Sequence, residues 1–434
     1  MRTVAVLAML AAPAAHPQGK APRSLAGLDE IYPELDALYL DVHRNPELSG
    51  REEKTAAKLA DRLRRLGYEV TAGVGGTGVV GVLRNGSGPT VLLRTELDAL
   101  PVEEKTGLPY ASKATATDPS GKTVPVMHAC GHDVHMASWT GAAALLARGK
   151  DRWHGTLVMV GQPAEETVQG ARAMLADGFL TRFPKPDFSV AFHDSSDLPA
   201  GKVAYVPGYA LANVDSVDVT IFGRGGHGAK PDTTVDPIVI AARTVLSLQT
   251  LVSREKDPLE PAVLTVGSIH GGNKHNIIPD DVHLQITVRS YTAAVRKQLL
   301  DGIARISKAE AAAAGAPREP EIRTGEGANA TFNDPALTKR LGAMLARELG
   351  ADNVVEGRPE MVAEDFGEFG KAAGVPSVLL RVGAVEQGKY AAAKASGAPL
   401  PSLHSATFAP DREPTIRTGT TVLVLSALEL LGKR

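Results

Sequence analysis

Thr90-Val91-Leu92-Leu93-Arg94-Thr95-Glu96-Leu97-Asp98 decides the fold class of this chain. A short apolar run of strand length breaks off into Arg94, Glu96 and Asp98, and the arrangement recurs twice. Residues 156–160 run into Gln162, Glu165 and Glu166, and residues 188–192 run into His193 and Asp194. Short apolar runs bounded by turn residues and separated by helical patterns predict an α/β fold with a mainly parallel sheet covered on both faces. In open α/β sheets ligand sites lie beyond the carboxyl ends of the strands. The three polar clusters are therefore expected to meet at one edge of one sheet.

Working outward, residues 28–43 and 51–66 carry helical periodicity, and Gly67 stops the second helix. The pattern changes near Gly208. A strand over 214–222, a helix over 237–252, strands over 262–269 and 282–290, a long Ala-rich helix over 293–314 and a strand over 319–323 follow in turn. That order, β-α-β-β-α-β, is ferredoxin-like and reads as a module inserted into the first domain. From about Phe332 helices and strands alternate again. With 434 residues, too many for one typical core, the expected organisation is an export segment at 1–15, a catalytic domain in two parts (22–208 and 326–434), and an inserted dimerisation or lid domain over 209–325.

A net charge of −2 offers no electrostatic footprint for nucleic acid or an anionic membrane. A single cysteine excludes an intrachain disulfide. Arg2, the apolar residues 4–11 and Ala12-Pro13-Ala14 together read as a cleavable export signal, which predicts a periplasmic or secreted protein. The apolar run is about half the ~20 residues that a membrane span needs. Residues 420–431 come closest to a span later in the chain, but Glu429 and the helical periodicity point to a C-terminal core helix.

The one cysteine lies in Met127-His128-Ala129-Cys130-Gly131-His132-Asp133-Val134-His135. In isolation a C-x-H triplet matches no standard metal-ligand spacing and fits an inert buried thiol better. Glu165-Glu166 alone fits an acidic pair at a helix N-terminus. Taken together the residues make a coherent ligand set. Cys130 and His132 come from one loop, Glu166 and His193 from strand ends, and His404 from a late loop over 399–404. Such a set suits two divalent ions about 3.5–4 Å apart, with Glu165 beside them as general base. The reading requires His193 and His404 to lie within about 8 Å of the Cys130 sulfur.

At this point the chain resembles a known family: the binuclear metallo-amidohydrolases and peptidases that include aminoacylases, hippurate hydrolases, auxin-conjugate hydrolases and some carboxypeptidases. The motifs that carry the resemblance are His43-x-x-Pro46-Glu47-Leu48, residues 94–101, 128–135, 161–166, 223–231 and 276–280, Glu364-Asp365-Phe366 and Leu403-His404-Ser405. The resemblance implies that Cys130 bridges two metals, with His404 and Glu166 completing one site and His132 and His193 the other. It implies that Asp98 accepts a hydrogen bond from His132 and that Glu165 handles the proton. His227, in a Gly-rich turn of the inserted module, would reach a partner subunit's site and stabilise the oxyanion, which implies a homodimer. Asn276 and Arg289 would hold the substrate carboxylate. His43 and Glu47 are expected to stabilise the end of the N-terminal helix, Asp133 and His135 to cap or support, and His270 and His275 to be loop residues. Glu364 and Asp365 have no assigned role.

The chain departs from that family's pattern at Thr95, Glu96, Asp194 and Asp232, and in residues 386–402, which read as a longer loop than usual before the last ligand. None of these removes an expected ligand. The function expected is a metal-dependent amidohydrolase acting on N-acyl amino acids, with zinc or manganese as the metal and cobalt or nickel compatible with the same donors. A metallo-carboxypeptidase or dipeptidase is the alternative, and a non-catalytic metal-binding or regulatory protein on the same scaffold is a third reading.

Overall fold

The computed structural model describes residues 25–325 and 327–432. The export signal expected over residues 1–15 lies outside them. Leu28–Arg44 and Glu53–Arg65 form the two N-terminal helices. The first buries Leu28, Ile31, Leu35, Leu38 and Val42, a three-and-four spacing that puts one face on the core. Glu47 serves the second helix rather than the first, since its carboxylate accepts the Thr55 N–H and hydroxyl, each at 2.8 Å.

Eight strands make the large sheet, in the order Glu69–Val74, Gly78–Asn85, Gly155–Gln162, Thr90–Glu96, Phe188–Pro199, Ser377–Val385, Val203–Tyr205 and Val354–Glu356. The central four run parallel. Antiparallel partners flank them on both sides, Gly78–Asn85 on one and Val203–Tyr205 on the other. Register places Glu96 opposite Gln162 and His193 opposite Arg381, so the polar strand ends share one edge of the sheet.

The helix that follows the cysteine, His132–Arg148, is buried from His132 to Leu146 between the sheet and the helices Leu28–Arg44 and Arg412–Leu431. Small residues allow this close approach. A Cβ at Gly141 would stand 2.8 Å from both Leu35 Cδ1 and Thr420 Oγ1, closer than packed atoms tolerate. Among the described residues no helix is long and apolar enough to cross a membrane.

Residues 213–324 hold a four-stranded antiparallel sheet in the order Ala262–His270, Asp281–Ser290, Asn213–Phe222 and Glu321–Thr324. The helices Pro237–Thr250 and Ala293–Ala313 cover one of its faces, with Val219, Leu284, Ile286, Val288, Leu299 and Ile303 in a core of its own. Asp236 accepts the Ile238 N–H and Thr292 the Val295 N–H, so each helix starts on a side-chain cap. One reading needs correction. The Gly/Ala/Lys-rich stretch before His404 is a helix, Gln387–Ser396, and not a continuous loop. Glu386 caps it through the Gly388 and Lys389 N–H groups, and none of its residues is buried. Helix propensity and the cap hold it, without the apolar stripe that sequence reading relies on.

Candidate metal centre

Backbone geometry builds the site from four segments. His404 donates its N–H to the Ala129 carbonyl at 2.8 Å, which pins the late loop to the cysteine loop. Gly131, at φ +75°, turns the chain between Cys130 and His132 and starts the buried helix. The only non-glycine residues with positive φ among those described are Ala164, Val168 and His404, all at or beside the site. Left-handed backbone at such residues stores strain and persists where surrounding bonds enforce it. One such bond is visible at Ala164, whose N–H goes to Glu52 at 2.9 Å.

The five grouped side chains converge. His404 Nε2 stands 3.2 Å and His193 Nε2 3.5 Å from Cys130 Sγ, far inside the ~8 Å limit that two ligand bonds and a metal–metal gap allow. His404 Nε2 lies 3.3 Å from Glu166 Oε2, and His132 Nε2 lies 3.9 Å from Glu166 Oε1. Atoms that each sit about 2.0–2.3 Å from one tetrahedral ion are about 3.3–3.8 Å apart, so these spacings suit shared cations. His132 Nε2 and Glu166 Oε1 are also buried with no hydrogen-bond partner among the described residues, a costly condition that a metal ion would relieve. The thiolate, imidazole and carboxylate donors fit divalent transition metals.

Electrostatics point the same way. Burial pushes the Cys130 thiol well up, and Glu166, Glu165 and Asp194 push it further. Burial, followed by Glu364, Glu166 and Asp365, raises Glu165 against the opposing pull of Arg94. Burial lifts Glu166 to about 7. Burial alone would lower His132, but Asp98, Glu96 and Glu166 carry it up to about 10. The carboxylates that push Cys130 and His132 upward give the site a surplus of negative potential, which cations neutralise.

Around this group the second layer is equally ordered. His132 Nδ1 lies 2.8 Å from the Asp98 carbonyl and 3.5 Å from its carboxylate, so the main chain makes the closer contact. Asp98 in turn accepts Ser49 Oγ at 2.7 Å and the Glu166 N–H at 2.9 Å. Glu165 is buried, with Oε2 3.8 Å from His132 Nε2. Glu364 and Asp365 acquire a place. Arg94, fully buried, donates to Glu96, to Glu364 and to Asp365, and its Nε reaches Gln162 at 2.9 Å. His43 is clamped between Asp133 at 2.6 Å and Glu104 at 3.2 Å. Sequence reading missed Glu52 and Glu104, whose surroundings look like ordinary charged helix and loop; the Arg94 partnership spans 270 residues and leaves no local signal.

Three expected site residues stand apart in this single chain. His227 and Asn276 are exposed and adjacent on a small ribbon of the inserted module, where the Gly228 N–H meets the Asn276 carbonyl at 2.9 Å. Arg289 is half-buried and donates to the Met361 carbonyl at 2.9 Å, and no carboxylate pairs with it among the described residues. None of the three contacts the five converging side chains among the contacts seen in the described residues. His270 ends a strand, Ala262–His270, and His275 lies in the loop after it.

Comparison with known proteins follows the same outline. The model of peptidase family M20/M25/M40 matches residues 92–406. Thermostable carboxypeptidase 2 of Saccharolobus solfataricus is 36% identical over 396 residues, 90% of this chain and 94% of that protein. Hippurate hydrolase of Campylobacter jejuni is 37% identical over 346 residues, 78% of this chain and 86% of that protein. Among solved structures, a dinuclear metal-binding peptidase of the M20 family from Bacillus subtilis has a TM-score of 0.73 at 26% identity, covering 93% of this chain and 99% of that one.

Proposed function

The chain belongs to peptidase family M20/M25/M40, and from that premise we propose a two-metal hydrolase that cleaves the amide bond of N-acyl amino acids. One observation carries the reading: Cys130, Glu166 and His404 cluster together, His193 stands 3.5 Å from the same sulfur, and His132 lies against both His193 and the Glu165–Glu166 pair. Cys130, Glu166 and His404 would hold one divalent ion, and Cys130, His132 and His193 the second. The thiolate favours zinc, while the nitrogen and oxygen donors also accept manganese, cobalt or nickel. When bound, the ions supply Lewis acidity, polarising an amide carbonyl and acidifying water.

The chain's own residues do the rest. Glu165 Oε2 takes a proton from the attacking water and returns it to the leaving amine nitrogen. Its burial and its acidic neighbours favour holding that proton between the two steps. His227 and Asn276 lie on an exposed ribbon that also presents Ile277, and a second copy of the chain would bring them to the cluster. There His227 would donate to the developing oxyanion. Arg289 spends one of its five N–H donors on Met361, and others remain for a substrate carboxylate.

The test is a hydrolysis screen of N-acetyl, N-benzoyl and long-chain N-acyl amino acids, with unblocked dipeptides alongside, on protein loaded with each metal. Glu165→Gln is expected to keep both ions and to lose turnover about 10³–10⁴-fold. Undiminished turnover in that variant rejects Glu165 as the base. Cleavage of dipeptides but not of N-acyl amino acids moves the assignment to a carboxypeptidase, the activity named for the Saccharolobus relative. Detection of an amino-terminally exported mature form in its native host would test the periplasmic or secreted location proposed from residues 1–15.

A further inference from the structure

His193 and His135 share one partner, Asp194. Its carboxylate is buried, and Oδ1 stands 3.2 Å from both His193 Nδ1 and His135 Nε2. The backbone of the same residue repeats the arrangement, with its carbonyl 2.8 Å from His193 Nδ1 and its N–H 2.9 Å from His135 Nε2. A carbonyl only accepts, so His193 carries its proton on Nδ1 and leaves Nε2 bare toward Cys130. His135 Nδ1 continues to Glu96 Oε2 at 2.9 Å, and Glu96 pairs with Arg94. Arg94 holds Glu364 and Asp365, whose carboxylates cluster with that of Glu165. A buried chain of polar contacts thus runs from His193 to the surroundings of Glu165.

Two features separate Asp194 from a residue that only packs. Its Oδ2 is buried without a hydrogen-bond partner among the described residues, a state that a purely structural carboxylate avoids because the desolvated charge is left uncompensated. Gly131 makes room for that same oxygen, since a Cβ at position 131 would come 2.3 Å from it. The bare oxygen therefore lies against the turn between Cys130 and His132, where cations held on the other side of the turn would compensate it.

We propose that Asp194 is a positioning residue of the metal centre: it locks His193 with Nε2 turned to Cys130, and it adds negative charge behind the turn between Cys130 and His132. The inference rests on the two-metal reading above. A carboxylate behind a ligating imidazole fixes its orientation and raises its basicity, and removing one typically weakens metal binding about 10–100-fold.

Asp194→Asn keeps the shape and a hydrogen bond while removing the charge. In zinc titrations against a competing chelator, wild type is expected to take two ions. D194N is expected to take two at saturation, one of them held about 10–100-fold more weakly. Cobalt-loaded protein adds a readout that packing alone leaves still: the thiolate-to-cobalt absorption of Cys130 is expected to shift in D194N at equal occupancy. Glu96→Gln loosens the His135 anchor while sparing Asp194, so it should weaken the same ion by a smaller factor, and it replaces D194N if that variant does not fold. Zinc constants equal to wild type overturn the positioning role and leave the hydrolase reading intact. A wild type that takes up no pair of ions sinks the hydrolase reading, and this inference with it.

Discussion

The inserted module and the edge of the large sheet handle burial in opposite ways. Along Asp281–Ser290 buried and exposed residues alternate, and the side chains under the module's helices are apolar. Among the described residues of 213–324 the only buried carboxylate is Asp215, and Arg296 grips it with two donors at 2.6 and 2.7 Å. At the edge of the large sheet Arg94, Glu96, Asp98, Asp194, Glu364 and Asp365 are all buried together. Alternation specifies a shape at little cost, whereas buried charge must be compensated partner by partner. A region that keeps so much buried charge keeps it for chemistry, and substitutions should expose the difference.

The largest effect is expected at Arg94. Arg94→Gln leaves Glu96, Glu364 and Asp365 short of their shared cation, and breaking a buried pair in this way costs about 3–5 kcal/mol. The matched substitution in the module, Arg323→Gln, breaks only an exposed pair with Glu321 and should cost under about 1 kcal/mol. Urea unfolding of the two variants measures both. Equal losses would remove the distinction between the two regions.

His227 sharpens it from the other side. Because the residue is exposed, with only the Ala229 N–H on its Nδ1 among the described contacts, His227→Ala should leave stability within about 0.5 kcal/mol. Turnover should nevertheless fall about 10²–10³-fold, the usual loss for an oxyanion donor, with metal content unchanged. Mixing H227A with the metal-poor variant H404A should restore part of the activity if each copy completes the other's site. No restoration, together with wild-type turnover in H227A, would confine the chemistry to a single chain.

How much of this was legible in the sequence follows the same divide. The strands Thr90–Glu96, Gly155–Gln162 and Phe188–Pro199 were readable because apolar runs end in polar residues, and strand direction then places Glu166 and His193 at one edge. The module was readable from its alternation. Residue type picked out Cys130, His132 and His404, which carry metal-ligand chemistry wherever they stand. What stayed hidden was pairing over distance. Glu52 sits at the start of a helix whose exposed side is charged, and nothing local says that it reaches the Ala164 N–H across 112 residues. The Gln387–Ser396 helix hid for a different reason, having no buried face to give it a period. Burial patterns are written along the chain; compensation of buried charge is written across it.

His43 carries that compensation into a smaller, pH-dependent effect. Burial alone would lower its pKa, but the hydrogen bonds and charges of Asp133 and Glu104 raise it to about 9. The unfolded value is about 6.5, so the stabilisation is fully present below about pH 6.5 and is lost as pH rises through about 9. The shift sets a ceiling of about 3 kcal/mol. A change on the order of 1–2 kcal/mol is expected, because Asp133 keeps the Val134 N–H and Glu104 the Ser112 N–H when the imidazole is neutral. The stability gap between wild type and His43→Gln, measured by urea unfolding at pH 6 and pH 9.5, should therefore narrow at the higher pH. His283 supplies the module's counterpart: it is exposed on its strand and bonded to the Thr220 hydroxyl at 3.2 Å, so His283→Gln should move stability by less than about 0.5 kcal/mol at either pH. A gap at His43 that stays constant, or widens, between those two pH values would mean that the imidazole is held there by packing against Tyr39 and Tyr110 and not by the charge of its two carboxylates.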